Sequence, residues 1–364
     1  MTERIRIGVI GTSGYARLLL PTLAGCADAE IAAICGRTRS RADELASEYQ
    51  IAQVFTDYNE MIKKGRLDGV VIASPDDLHY SMTMAALKAG LHVLCEKPMA
   101  STVEQAREML VTAEEEGVKH MIEFTWRWMP HYQYLHKLIA DGYVGQGYHY
   151  HYRFLGNHGR TQEYSWHFDE RRCNGILGNL GSHAVDLALW LNGDITNVSA
   201  HMASFSKRTD PEGVSISSAS ESALLAVEFV DGAQGMIHAS TVAHTAARVR
   251  EQHVTLHGAD GSLESKWHLF GGAEAGVVLQ GCRHDEKDFQ KLDIPADYLR
   301  GAKSDASMVA AVMSDHLVGP RLFVDAIQRD YKPEPSFAQG VKVQQVLDAA
   351  MESHQTGQRV YIGR

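Results

Sequence analysis

The sequence predicts an α/β protein: a doubly wound parallel sheet in the first third of the chain, then a second α/β domain with an open, mostly antiparallel sheet. Three observations carry this. Short β-rich runs alternate with helical patterns from Ile5 to Phe124, which is how a parallel sheet covered by helices reads. The first of those runs empties into a glycine-bearing turn and then a helix, the layout of a nucleotide site. Beyond residue 126 the runs change character, and Gly147–Phe154 alternates with a period of two, as a sheet with one buried face requires.

Composition narrows the function. With 364 residues, 45% hydrophobic and 22% charged, the chain has room for two cores. A net charge of −10 with no basic run excludes a nucleic-acid footprint and is compatible with a small-molecule enzyme. The cysteines, Cys26, Cys35, Cys95, Cys173 and Cys282, are odd in number and lack a CxxC spacing. They indicate neither a disulfide framework nor a zinc site, and fit a reducing cytoplasm. Ile7–Ile10 is too short for a signal core, and no window approaches a membrane span.

Ile5–Ile10 is the first strand, and Gly11-Thr12-Ser13-Gly14-Tyr15-Ala16 follows it before a helix carrying Leu18, Leu19, Leu20 and Leu23. Against Gly-x-Gly-x-x-Gly, Gly11 keeps the first glycine while Ser13 and Ala16 stand at the second and third. Small residues there still let backbone amides approach a pyrophosphate and let helix pack on strand. A plain strand-to-helix turn is the alternative this stretch alone leaves open. Glu30–Cys35 is the second strand, and at its end a dinucleotide site reads the adenosine ribose. A carboxylate would bind the 2′-hydroxyl of NAD, but this chain has Gly36-Arg37-Thr38-Arg39-Ser40-Arg41 and no acid before Asp43. Guanidinium and hydroxyl suit a 2′-phosphate, so NADP is preferred over NAD unless the arginines merely start the helix Arg41–Gln50.

A helix at Tyr58–Lys64, a strand at Gly69–Ala73 and a helix at His79–Ala89 continue the alternation. Ser74-Pro75-Asp76-Asp77-Leu78-His79 therefore lies at the carboxyl edge of the sheet, which faces the ligand crevice. Leu91–Glu96 is a buried strand that runs out into Glu96-Lys97-Pro98. Proline restricts the residue before it, so the Lys97 ammonium sits on stiff backbone; whether the bond is cis stays open. Ser101 and Glu104 have capping-box spacing for a helix from Thr102 to Glu116, with Gly117 after it. His120–Phe124 is another strand, and Thr125–Pro130 leaves it. The boundary is placed there, giving domains 1–125 and 126–364.

Gly11-Thr12-Ser13, Ala73-Ser74-Pro75-Asp76 with His79, and Ala89–Pro98 ending in Glu96-Lys97-Pro98 together resemble the Gfo/Idh/MocA family of NAD(P)-dependent oxidoreductases. The resemblance implies an N-terminal Rossmann domain and a C-terminal α/β domain for substrate binding and oligomerisation. Its open sheet carries the substrate site on one face and often an oligomer contact on the other. It also implies that Lys97 is a catalytic and binding residue. The expected cofactor residues are Gly11, Thr12, Ser13, Gly14, Tyr15, Arg37, Thr38, Arg41, Ser74, Pro75, His79, Glu96, Lys97 and Arg127.

In the second half, alternation puts Tyr148, Tyr150 and Tyr152 on one face and His149, His151 and Arg153 on the other. Further strands are expected at Val198–Phe205, Ser222–Phe229, Gly235–Thr241, Glu251–His257 and Gly261–Trp267. His149 and His151 read as sheet histidines, without a carboxylate or cysteine nearby to make a metal site. Ser336 and Gln339 open an amphipathic helix from Phe337 to about Thr356. Between the strands, Gly175-Ile176-Leu177-Gly178-Asn179-Leu180-Gly181 is expected as a glycine-rich loop leading into a helix from Ser182 to Trp190, with His183 in its first turn. The family pattern has an aspartate four residues before that histidine, and both meet the substrate hydroxyl; this chain has Asn179, which bonds a hydroxyl but accepts no proton. Asp186 is placed to orient His183, since i and i+3 share a helix face.

The expected reaction is hydride transfer between the nicotinamide and a secondary alcohol of a sugar, sugar derivative or inositol. Lys97 binds the hydroxyl, His183 takes its proton, and Trp126, Arg127, Tyr164, Trp166 and His167 line the pocket with Asn179. Two alternatives stand beside it: a cofactor-retaining glycosidase or lyase that oxidises its sugar transiently, and a non-catalytic, nucleotide-responsive regulatory protein. A homodimer or homotetramer through the C-terminal sheet is expected.

Overall fold

The computed structural model describes residues 4–161, 163–269, 275–300 and 317–363. Six parallel strands, β1 (Ile5–Ile10), β2 (Ala29–Cys35), β3 (Gln53–Phe55), β4 (Gly69–Ile72), β5 (His92–Glu96) and β6 (His120–Glu123), form one sheet in the order β3-β2-β1-β4-β5-β6. Strand succession reverses between β1 and β4, and in such sheets the ligand crevice opens at the carboxyl ends there. Val70, Val71 and Ile72 of β4 and Val93, Leu94 and Cys95 of β5 are fully buried, because helices cover both faces. β3 has only three half-buried residues, too few for any periodicity, and the sequence did not reveal it.

The covering helices are α1 (Gly14–Ala24), α2 (Arg39–Glu48), α3 (Tyr58–Lys64), α4 (His79–Leu87) and α5 (Val103–Glu115). The cap of α5 lies one residue later than the expected Ser101–Glu104 pair. Thr102 Oγ1 accepts the Gln105 amide at 3.3 Å, and Gln105 Oε1 accepts the Ser101 amide at 3.2 Å. Thr102-x-x-Gln105 satisfies the same spacing rule, and it wins. The Lys97–Pro98 bond is cis.

The chain divides into two compact units at Thr125/Trp126, but the described residues 317–344 return to the first. The second domain is therefore not the continuous run 126–364. The cause is the amphipathic helix Val318–Arg329, whose buried Phe323, Val324 and Ala326 go to the first unit, where the helix packs on α1, β1, β5 and β6. The last helix runs Phe337–Thr356, as expected.

In the second unit β7 (Gly147–Gly156), β8 (Ile195–Ala203), β9 (Arg208–Thr209), β10 (Ser215–Ile216), β11 (Ser222–Phe229), β12 (Gln234–Ser240), β13 (Arg250–Gly258), β14 (Gly261–Leu269), β15 (Gly276–Arg283), β16 (Gln290–Lys291) and β17 (Val360–Tyr361) follow one another. Nine of them make a sheet ordered β16-β15-β14-β13-β7-β12-β11-β8-β17, with β9 and β10 a separate pair. Every neighbouring pair is antiparallel except β7 with β12. Tyr150, Tyr152 and Phe154 are buried on the face that α7 (Ser182–Asn192) covers, with α6 (Pro130–Ala140) packed on β14, and His149 and His151 are exposed. Tyr148, which alternation puts on the same face, is 48% exposed near the start of the strand. On the opposite face Glu251, His253 and His268 bring one potential ligand atom each within 4.8 Å of the others. The Glu251 carboxylate there is already bonded to Arg153 and Arg248, at 3.2 and 3.1 Å.

Candidate active site

In the first unit the turn after β1 is shaped by close approach. Gly11 has φ 129°, and a Cβ there would stand 2.3 Å from the Ala73 carbonyl oxygen, so only glycine lets the ends of β1 and β4 meet. Ser13 is the N-cap of α1, yet its side chain makes no capping bond and the first turn holds no acid. Backbone amides with no carboxylate beside them, at the positive end of a helix, suit an anion. Gly14 has nothing within 4 Å of its Cβ position, so the approach is open. Gly11, Thr12, Ser13, Gly14 and Tyr15 thus fit a cofactor pyrophosphate.

At the end of β2, Thr38 caps α2 without a side-chain bond, and that first turn also lacks an acid. Arg37 and Arg41 are exposed, and among the described residues neither has an acidic partner within ion-pair distance. Arg39 pairs along the helix with Asp43 at 2.8 Å, which takes up the nearest carboxylate.

Lys97 is buried at the carboxyl end of β5, its Nζ 5.1 Å from the centre of the Tyr15 ring. Burial alone would pull this ammonium down, but Tyr15, Glu96 and Asp76 outweigh it and hold Lys97 above its ordinary value. Burial pushes Glu96 up to about 7, moderated by the Lys97 charge, and does the same to Asp76. Lys97 is therefore an ammonium beside two carboxyls that titrate near neutrality. Glu123 pairs in register with Glu96 on the adjacent strand, and burial, then Glu96, holds it well above the usual carboxylate range.

His79 was expected beside the cofactor. It is fully buried, with Nδ1 2.7 Å from the Pro98 carbonyl oxygen and Nε2 3.0 Å from that of Ser74. It ties the Glu96-Lys97-Pro98 turn to the Ser74-Pro75 loop and so positions Lys97. Asp76, part of the Ala73-Ser74-Pro75-Asp76 motif, was given no site role from sequence, and neither was Glu123. Asp76 read as a turn residue and Glu123 as a strand end; only the fold brings them to Lys97 and Glu96.

The second unit holds the other expected residues. Gly175–Gly181 is not a loop: Leu177–Gly181 is a π-helical turn running directly into α7, so Asn179 lies one turn before His183 on a continuous helical run. Such turns recur at functional sites. The His183 ring stacks on Trp126, with centroids 4.2 Å apart and planes 18° from parallel, and Phe154 stacks on Trp126 at 5.6 Å. Asp186, expected to orient His183, presents both oxygens to Arg127, at 3.1 Å to Nε and 2.5 Å to Nη2. Arg127, expected at cofactor and substrate, is buried in that pair and stands 5.2 Å over the Trp190 ring. Tyr164 donates its hydroxyl to Asp169 at 3.3 Å, and Trp166 packs on His167 at 3.7 Å. Arg171 holds the Asp169 carboxyl down at about 2.

Comparison with known proteins agrees with this architecture. An uncharacterised oxidoreductase of Synechocystis is 27% identical over 97% of this chain and 95% of its own length. A scyllo-inositol 2-dehydrogenase (NADP(+)) of Bacillus subtilis is 26% identical over 86% of this chain and 84% of its own. The structure of levoglucosan dehydrogenase in complex with NADH superposes over 100% of both chains with a TM-score of 0.89 at 22% identity, a likeness of fold. Residues 5–124 match the profile described as an oxidoreductase family with an NAD-binding Rossmann fold, and residues 132–264 match the Gfo/Idh/MocA C-terminal domain. With both halves matched in chain order, the chain belongs to the Gfo/Idh/MocA oxidoreductase family, residues 5–124 matching its NAD-binding domain and residues 132–264 its C-terminal domain.

Proposed function

We propose that this protein is a sugar or cyclitol dehydrogenase that moves a hydride between NADP and a ring secondary alcohol. The observation that carries the reading is Lys97, a buried ammonium held charged by Tyr15, Glu96 and Asp76 at the carboxyl edge of the NAD-binding sheet. The bound nicotinamide supplies the hydride chemistry. The amides of Gly11–Tyr15 hold the pyrophosphate, and Arg37, Thr38 and Arg41 take the 2′-phosphate at the uncapped start of α2. Ser74, Pro75 and Glu96 shape the edge beside Lys97. The ammonium binds the reacting hydroxyl oxygen and stabilises its charge as the carbonyl forms. Because Lys97 is raised rather than lowered, the proton goes to His183, and Asn179 directs the hydroxyl by hydrogen bonding. Trp126, Tyr164 and Trp166 offer flat faces to the C–H faces of the ring.

The substrate class is supported by relatives named as dehydrogenases of scyllo-inositol, levoglucosan and a D-glucoside. The test is a panel of sugars and inositols with each cofactor, followed by nicotinamide absorbance. Net cofactor turnover, faster with NADP, is expected. Chemistry on the sugar without net turnover would favour the cofactor-retaining hydrolase, and tight binding without chemistry the regulatory protein. We also propose a homodimer or homotetramer through the outer face of the nine-stranded sheet, where Leu224, Met236 and Val278 are 41%, 43% and 48% exposed. A monomer by light scattering at micromolar concentration contradicts it. The free cysteines support a cytoplasmic location. Among the described residues no helix is long and apolar enough to cross a membrane.

A further inference from the structure

The second unit contains an ion pair with no exposure on either side: Arg208 of β9 and Glu221, 2.7 Å apart. The guanidinium does more than meet its counter-ion. Nη1 donates to the carbonyls of Thr161 and Glu163, at 2.5 and 3.2 Å, and Nη2 donates to that of Gly159 at 2.5 Å. Its Cζ stands 3.9 Å from the centre of the Phe168 ring. Glu221 in turn accepts the amides of Phe205 and Ser206 on its second oxygen, at 2.8 and 2.9 Å. One side chain thus gathers three carbonyls and a ring from the segment Gly159–Phe168, which carries Tyr164 and Trp166. The end of that segment is fastened independently, by the Ala219 amide on the Phe168 carbonyl at 2.9 Å.

Stability is a poor reason for such a pair. Taking two charges out of water costs about as much as their attraction returns, and well-packed apolar residues of similar size commonly do as well. What apolar residues cannot do is orient carbonyls. A planar guanidinium with five donors fixes several acceptors in one geometry, and lysine does not reproduce that fork.

We infer that Arg208 is a positioning residue for the sugar site: it fixes residues 159–161 and 163–168 so that Tyr164 and Trp166 meet the substrate. This rests on the proposed sugar-binding role of Tyr164 and Trp166. The test uses the full-length protein with a sugar found in the substrate panel. Arg208→Lys keeps a charge opposite Glu221 but loses the fork, and Arg208→Met with Glu221→Leu removes both charges together. In both, the sugar KM is expected to rise roughly tenfold or more, because small misplacements of binding groups carry penalties of that order. Cofactor affinity and kcat should change little. A folded variant of either kind with an unchanged sugar KM overturns the inference. Trp166→Ala and Tyr164→Phe separate the two levels. If these leave KM unchanged, the sugar-binding reading itself fails; if they raise it while the folded Arg208 variants do not, only the positioning role fails. Should the double variant not fold, Arg208→Lys decides alone, and its unfolding as well would mark the residue as structural and contradict the inference.

Discussion

Replacing Asp186 by alanine leaves a buried guanidinium without its carboxylate. The Arg127 and Asp186 side chains are 9% and 1% exposed and are joined by two bonds, at 3.1 and 2.5 Å. Removing one member of such a pair typically costs about 3–5 kcal/mol, because the remaining charge stays buried and uncompensated. For a unit of roughly two hundred residues, each kcal/mol moves Tm by about 2–4 °C, so a fall of roughly 6–20 °C is expected. Arg127→Met combined with Asp186→Leu removes both charges and should recover most of that loss. Thermal melts followed by circular dichroism, with urea midpoints as a second measure, decide it. A single variant as stable as the natural chain, or a double variant no better than the single, refutes the reasoning.

Arg37→Ala should weaken NADP binding by about 1.5–3 kcal/mol, the value of hydrogen bonds to a charged group, and spare NAD; equal losses in titrations with both cofactors would remove the basis for the NADP preference. Glu96 and Asp76 are raised to about 7 from 4.5 and 3.8, so between about pH 4 and 7 the folded chain holds protons that the unfolded chain releases. Stability should therefore fall as pH rises through that window, and Asp76→Asn should flatten the fall; urea midpoints at the two ends of the window with an unaltered slope in the variant would count against it. Asn179→Asp should change the rate modestly and move the pH profile if His183 carries the proton. Activity that appears only in the aspartate variant means that a carboxylate at 179 is required.

Much of the first unit was legible because each of its signals is local. Apolar strands, the turn at Gly11 and the Glu96-Lys97-Pro98 ending all declare themselves within ten residues. β3 escaped because three residues carry no period. The return of residues 317–344 to the first unit escaped because an amphipathic helix says that it has a buried face and not which core receives it. In the candidate site, Lys97 and His183 came forward through the resemblance of their motifs to the family, whereas the contacts of Asp76, Glu123 and Arg208 join distant elements and leave no local signal. Helix periodicity puts Asp186 on the His183 face, and a local pattern of that kind cannot foresee that Arg127, fifty-nine positions away, also bonds both of its oxygens.

In the proposed mechanism a charged Lys97 binds the reacting hydroxyl while His183 takes its proton. The most direct measurement is single-turnover hydride transfer from a sugar or inositol substrate to bound NADP, in the natural chain and in Lys97→Ala and His183→Ala. Loss of a positioned acid–base or charge-stabilising group typically costs 10²–10⁴-fold, or about 3–5 kcal/mol of barrier. The natural chain should transfer hydride, Lys97→Ala should lose it by at least about 10²-fold, and His183→Ala should fall strongly while still binding cofactor. A natural chain that binds both ligands tightly and transfers no hydride, or a Lys97→Ala variant that transfers it at the natural rate, contradicts the proposed mechanism.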